Sequence, residues 1–477
     1  MGGLVQISSD PFTNNTSNHK TQVEPDTFAF GTTVVSAFQS GRFFDGGASN
    51  IGFATSTNGG GTWTHGFLPG TTVFATPPGP SKYQRVSDAS VAYDANHKVW
   101  IISYLAFFSG TSVATDVLVS RSTDGGLTWG LPVAVNTSGE SNDKNWTVCD
   151  DTASSPHFGN CYTEFDDFSK LNLVQMSTST DGGLTWGVAK TTPDNACVIG
   201  GQPVVQPNGN VIVPIDDCVE TSLLSFRSTD GGQTWSKPVL AAQLLFDTDP
   251  GHIRAGPLPS AEIDSSGKVY VTWEDCRFEN FCNAGNNDLV LTTSTDGLTW
   301  SPVTRIPIDA VGSGVDHLIP GLAVDRNTSG SSAHLGLAYY FFPTVNCGTT
   351  HTPACQLNVG FISSTDGGNS WSAARQLAGP MNLSWLPLTT QGFMVGDYIS
   401  TSIVPGATDA TPVFEVASAP TGRPTCSNVH TGAPGSNCNE ATFTDLLLLA
   451  GGTNVSTVAS ASLPTKKPGL SQRARVF

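Results

Sequence analysis

Charge is scarce in this chain, and positive charge is the scarcer sign. Only 13% of the 477 residues are Asp, Glu, Lys or Arg, and 39 acidic residues outnumber 22 basic ones, for a net charge of −17. Such a surface repels phosphate backbones, which need basic patches, so no nucleic-acid partner is expected. No run of 18 apolar residues occurs. A membrane-spanning helix needs about that many, so no membrane partner is expected either. The most apolar short run, Leu446 to Ala450, has the length of a buried strand. No stretch of helical period stands out, which points to an all-β chain. Cys-x2-Cys spacing is also missing, and structural zinc usually needs it.

Glycine, proline and cysteine are plentiful. The 51 glycines and 30 prolines suit many short strands joined by turns. The ten cysteines fall into five local pairs: 149 with 161, 197 with 218, 276 with 282, 347 with 355, and 426 with 438. An even count with short loops predicts disulfides and a secreted or extracellular protein.

One octapeptide organises the rest. Ser122-Thr123-Asp124-Gly125-Gly126-Leu127-Thr128-Trp129 recurs at 179–186 and 228–235. Residues 364–371 hold a fourth copy with Asn369 and Ser370, residues 56–63 have Asn58 for the aspartate, and residues 294–300 are one residue short. Fixed self-similarity of this kind marks a repeat architecture. Asp or Asn before glycine makes a tight turn, and strand-like residues flank each copy, so each is read as a β-hairpin. An active site needs one acid rather than six equivalent ones, so these aspartates are expected to be structural.

The frame Ser-x-Asp-x-Gly-x-x-Trp resembles the Asp box, or BNR repeat, of sialidases and other secreted β-propellers. The resemblance implies four-stranded antiparallel blades. Working outward from the boxes gives six of them. After Trp371 three strand-like runs remain, Met394 to Ile403, Pro412 to Ala417 and Thr442 to Leu449. Leu4 to Ser8 can supply a fourth strand and close the ring. The expectation is therefore a seven-bladed propeller over residues 1–460, with six blades as the alternative. Residues 461–477 are expected to be a disordered tail.

In a propeller the loops between blades open on one face and the boxes lie on the other. This sorting brings Glu24, Asp26, Arg85, Asp88, Asp143 and Lys144 to the open rim. Trp146, Arg254, His317, Asp397 and Tyr398 follow, and Arg42, Glu274 and Arg277 arrive from the loops between second and third strands. Arginine beside carboxylates and aromatics suits a sugar acid, because a guanidinium grips a carboxylate bidentately. Sialidases hold their substrate carboxylate with three arginines, use a Glu-assisted Tyr as nucleophile and an Asp as acid/base. By that resemblance the arginines are Arg85, Arg254 and Arg277 or Arg42. The nucleophile is Tyr398, the acid is Asp88 or Asp26, and Glu274 is a further catalytic carboxylate. Lys144, Trp146 and His317 would touch substrate. The family's Arg-Ile-Pro motif belongs near the start of the propeller. Here Arg305-Ile306-Pro307 follows the 294–300 box on a predicted outer strand, which is read as a chance match.

The resemblance implies a sialidase-like glycoside hydrolase acting on a glycan that contains an acidic sugar. Two alternatives stay open. One is a non-catalytic propeller that binds glycan or protein. The other is a uronate-glycan lyase whose base is Tyr83, His65, His252 or His317. A monomer is expected, with no organic cofactor and no assigned metal ligand. Oxygen ligands converging on the channel would suit a structural calcium ion.

Overall fold

The computed structural model describes residues 3–108, 114–138, 140–280, 282–344, 356–422, 425–426 and 438–458. The Cys347–Cys355 pair and the tail from residue 461 lie outside them. Among the described residues the only helix is four 3-10 turns of three residues each, and the rest is strand and connection.

The first two expected blades are joined through Ala48 and Val86 into one eight-stranded sheet, and its second half shows why these residues form strands. Val99–Phe108 reads as an unbroken apolar and β-branched run because neighbours cover both its faces. Trp100, Ile102 and Tyr104 pack with Val35, Ile51 and Phe53 of the preceding strands. Val99 and Ile101 turn the other way, onto Cys149 and Cys161. The run pairs antiparallel with Tyr83–Asp94 on one side and Thr115–Ser122 on the other. Each later sheet repeats this order of an inner strand followed by strands stepping outward, starting at Asn142–Cys149, Val204–Val205, Ser260–Ile263, Asp316–Val324 and Ser400–Ile403.

The N-terminal strand sits where the closure argument puts it. Val5 lies opposite Thr444, Gln6 lies opposite Phe443, and the Ile7 N–H donates to the Thr442 carbonyl at 2.9 Å. Two expected strands are shorter. Met394 to Ile403 is strand only over Ser400–Ile403; the part before it contains Gly396 at a φ of 149°. Thr442 to Leu449 divides into Glu440–Thr444 and Leu447–Leu448, because the Asp445 carboxylate takes the Leu446 N–H and turns the chain. Beyond them, Asn454–Val455 pairs with Ser370–Trp371 and Thr457–Val458 pairs with Thr304–Arg305. This last segment straps two sheets from outside.

Each box is a hydrogen-bonded knot. Asp124 accepts the Thr128 N–H at 2.9 Å and the Thr128 hydroxyl at 2.6 Å, while the Ser122 hydroxyl donates to it and accepts the Gly126 N–H. Asp181, Asp230 and Asp366 repeat the pattern. The second glycine must be bare. A Cβ on Gly126 would stand 2.7 Å from Val35 in the preceding blade's strand Thr33–Arg42, and one on Gly60 would stand 2.9 Å from Leu446 in the turn between the last two strands of the last sheet. The boxes therefore lock each group of strands to the one before it, and the first group to the last. Four disulfides join 149–161, 197–218, 276–282 and 426–438, as the spacing predicts.

Candidate functional site

The inner strands carry a recurring irregularity. Pairing slips between Val23 and Asp26, Ser87 and Ser90, Asp143 and Trp146, and Leu318 and Gly321. At each slip one residue is left-handed: Glu24 at φ 57°, Asp88 at 51°, Lys144 at 52° and Ile319 at 50°. A bulge bends the strand and re-aims the side chain it carries. A non-glycine residue in this conformation costs on the order of 1 kcal/mol, which the packing around it must hold. Two residues past the bulge a side chain clasps the next inner strand. Asp26 accepts the Val91 N–H at 2.7 Å and Ser90 accepts that of Thr147 at 2.9 Å.

The bulges gather charge around one cleft, with an empty volume of about 610 Å³ that includes open solvent. Arg42, Asp88, Asp143, Lys144, Arg254 and Asp397 line it. Arg254 Nε donates to Asp397 Oδ1 at 2.6 Å, its Nη2 donates to Oδ2, and Lys144 Nζ pairs with the same Oδ2. Arg42 spends Nη1 on the Gly47 carbonyl at 2.9 Å and on Gln39 Oε1 at 3.4 Å, and Nε faces the Met394 sulfur. Gln39 in turn donates its amide to Glu24 Oε2, and Glu24 Oε1 accepts the Asp397 N–H. Burial, then the charges of Asp88 and Asp397, push Glu24 up to about 8, against Lys144 and Arg254. Burial, then the neighbouring Arg254 charge, lowers Arg42 to about 10. Lys144 and Arg254 move upward: burial is the largest single influence and opposes their charge, but Asp397, Asp88 and Glu24 together outweigh it.

Several sequence candidates meet here. Arg42, Arg254, Lys144 and Asp88 share the cleft. Arg85 stands at its rim, paired with Asp45 at 2.7 Å and stacked 4.5 Å above the Phe43 ring. Trp146 and Tyr398, rings 5.2 Å apart and near perpendicular, line an adjoining cavity that shares Asp88, Lys144 and Asp397. The Tyr398 hydroxyl donates to the Ala89 carbonyl at 3.0 Å rather than to a carboxylate, and burial raises its pKa well above the usual phenol range.

Other candidates lie apart from the cleft. Arg277 grips Asp275 through Nε and Nη2, both at 2.7 Å, and also donates to the Gln243 carbonyl. Glu274 is fully buried in the strand beside it. Asp26 faces a separate cavity with Glu262 and Arg326, and burial pushes it up to about 7. His317 is buried on the Asn287 carbonyl at 3.2 Å, and burial lowers it to about 4. The Tyr83 hydroxyl is committed to Asp116.

Among the described residues, Asp288, Asp309 and His317 converge as metal ligands would, within 4.8 Å of one another. Arg305 occupies that place. Its Nη2 lies 2.6 Å from Asp288 and 2.6 Å from Asp309, so the guanidinium supplies the positive charge.

Gln39, Glu24 and Asp143 are working neighbours that the sequence-based assignment of roles omits, while Asp397 is the counter-charge that the arginines require. The rim position of the three acids marks them in the sequence. Gln39 carries no such mark.

A BNR repeat-like domain matches residues 103–319. A sialidase of Bacteroides fragilis is 23% identical over 291 residues, which is 54% of this chain and 49% of that protein. The match thus spans about half the length of the sialidase. Among solved structures, a leech intramolecular trans-sialidase aligns with a TM-score of 0.47 at 13% identity, over 72% of this chain and 68% of its own. An ulvan lyase of a polysaccharide lyase family aligns at 0.49 and 10% identity, over 94% and 96%. By its six boxes and the match over residues 103–319, this chain carries a BNR repeat-like domain.

Proposed function

We propose that this chain is a secreted carbohydrate-active enzyme, a glycoside hydrolase that holds an acidic sugar by its carboxylate. Arg42 carries the reading. Its guanidinium is buried, and its hydrogen bonds go to a carbonyl, an amide and a thioether rather than to a carboxylate. A buried charge is costly unless paired. A ligand carboxylate supplies the missing partner and suits the planar fork. Arg254, already matched by Asp397, gives a second donor beside it. The similarity to a sialidase and the four disulfides support the same reading.

Calorimetric titration with N-acetylneuraminate, glucuronate and glucose tests it, alongside fluorogenic glycosides of the two acids. An acidic sugar is expected to bind and glucose is not. Arg42→Ala should cost about 2–5 kcal/mol of binding, with Arg42→Lys recovering part. Equal binding of neutral and acidic sugars would remove the carboxylate reading. Binding without turnover of any glycoside would make the chain a non-catalytic binder.

A further inference from the structure

We infer that Asp143 and Asp88 form a carboxyl pair that delivers and recovers the proton of glycoside cleavage, with Asp143 as the donor. This rests on the acidic-sugar reading of the cleft. The two carboxylates come from different inner strands, yet they accept the same backbone N–H. Lys144 N donates to Asp143 Oδ1 at 3.0 Å and to Asp88 Oδ2 at 3.3 Å. The left-handed bulge at Lys144 points that N–H at both oxygens. Asp88 is buried and is further held by the Ser87 hydroxyl at 3.2 Å. Asp143 is only half-buried, so it is the member that can reach a ligand. Both line the cleft that holds Arg42 and Arg254.

Two close carboxylates in a low-dielectric site do not ionise together, so one proton is shared between them. Burial, then the negative charge of Asp88, push Asp143 up to about 7. Lys144 and Arg254 oppose this; Arg42, Glu24, Asp397 and the rim residue Asp45 lie around the same cleft, and Glu164 on the paired strand also feels the Asp143 charge. An acid that keeps its proton near neutral pH is suited to general-acid work.

The step balances as hydrolysis. The Asp143 carboxyl gives its proton to the glycosidic oxygen as the bond from that oxygen to the anomeric carbon breaks. The bond's electron pair leaves with the oxygen, and the leaving group departs as an alcohol. Water then adds to the anomeric carbon and returns one proton to the pair.

Asp143→Asn keeps the acceptor for the Lys144 N–H and removes the acid. On glycosides with a poor alkyl leaving group, kcat/KM should fall roughly 100-fold or more, the usual worth of a general acid. On aryl glycosides, whose leaving group needs no proton, it should fall far less. Titration of N-acetylneuraminate or glucuronate should show binding retained. Several buried acids titrate between mildly acidic and mildly alkaline pH, so infrared difference spectra are compared between wild type and variants: one protonated-carboxyl component should be deleted by Asp143→Asn and shifted to lower pH by Asp88→Asn. Equal losses on both leaving groups, or an unchanged band in either variant, would overturn the pair. If no acidic sugar binds the wild type, the reading of the cleft fails, and the infrared titration still decides the pair.

Discussion

Asp124 shows how little of this chain's acidity is chemical. Burial opposes its charge, but hydrogen bonds from the Thr128 hydroxyl and amide, from Ser122 and from the Leu127 amide together hold its carboxyl below the usual range. Those bonds close a turn at the opposite end of the strands from the cleft, since Ser122 pairs with Trp100 while Phe107, at the far end of Trp100's strand, lines the cleft. Asp124→Ala should therefore lower stability by roughly 1–2 kcal/mol and leave turnover per folded molecule unchanged. Thermal melting and active-site-normalised kinetics check both halves, and a selective loss of turnover would overturn the structural role. The cleft was legible in the sequence as far as charge reaches. Arg42, Asp88, Lys144 and Arg254 stand out because charged residues are rare and fall at strand mouths. Gln39 was not legible, since an amide in an alternating strand carries no signal until its neighbours are known. Arg277 and His317 also fall at strand mouths, but local partners hold them, through contacts that strand position alone does not reveal.

At the level of elements, the boxes predict hairpins well because the glycines and the aspartate act locally. The bulges do not show in sequence. Glu24, Asp88, Lys144 and Ile319 share no residue type, only a place in the pairing register. That place is set by contact with the next sheet, such as the close approach of Gly396 to the Glu24 backbone. The N-terminal strand is another element whose worth lies in contact. Ile7 is fully buried with Phe38 and Ala54 of the first sheet and Val413 of the last. Ile7→Ala should cost about 2–5 kcal/mol, as truncating a buried branched side chain does. Chemical denaturation measures this, while affinity for the sugar should hold. A cost near zero would mean that the strand merely rests on the sheet edge.

The whole molecule ties its ends together. The first box packs on Leu446, Ser400 donates to the Thr27 carbonyl, and Thr401 donates to that of Gly321, so Ser400–Ile403 lies between the strands Gln22–Phe30 and Asp316–Val324. We propose the seven-bladed ring on these neighbours, and a crystal structure with six repeats would replace it. Packing so many sheets edge to centre buries acids throughout. Burial pushes Glu24 and Asp151 up to about 8 and Asp26, Asp143 and Asp288 up to about 7, and it raises Glu164, Glu415 and Glu440 well above the usual range. Unfolded, these groups titrate near 4. Between roughly pH 4 and 8 the folded chain therefore binds more protons than the unfolded one, and stability falls as pH rises. The box aspartates pull the other way below that window, but they are exposed or only half-buried and contribute little. Inside it His317 and His19, which burial lowers, oppose the trend but are outnumbered by the raised acids. The melting temperature should thus climb from mildly alkaline to mildly acidic buffer at constant ionic strength. Glu440 isolates the effect. It lies on the same face of the last sheet as Glu415, and neither of its carboxylate oxygens has a hydrogen-bond partner among the described residues. Glu440→Gln keeps the shape and removes the charge, so it should raise the melting temperature at mildly alkaline pH and change it little at mildly acidic pH. A profile that is flat or rises with pH in the wild type would show that these carboxylates find counter-charge or water when they ionise.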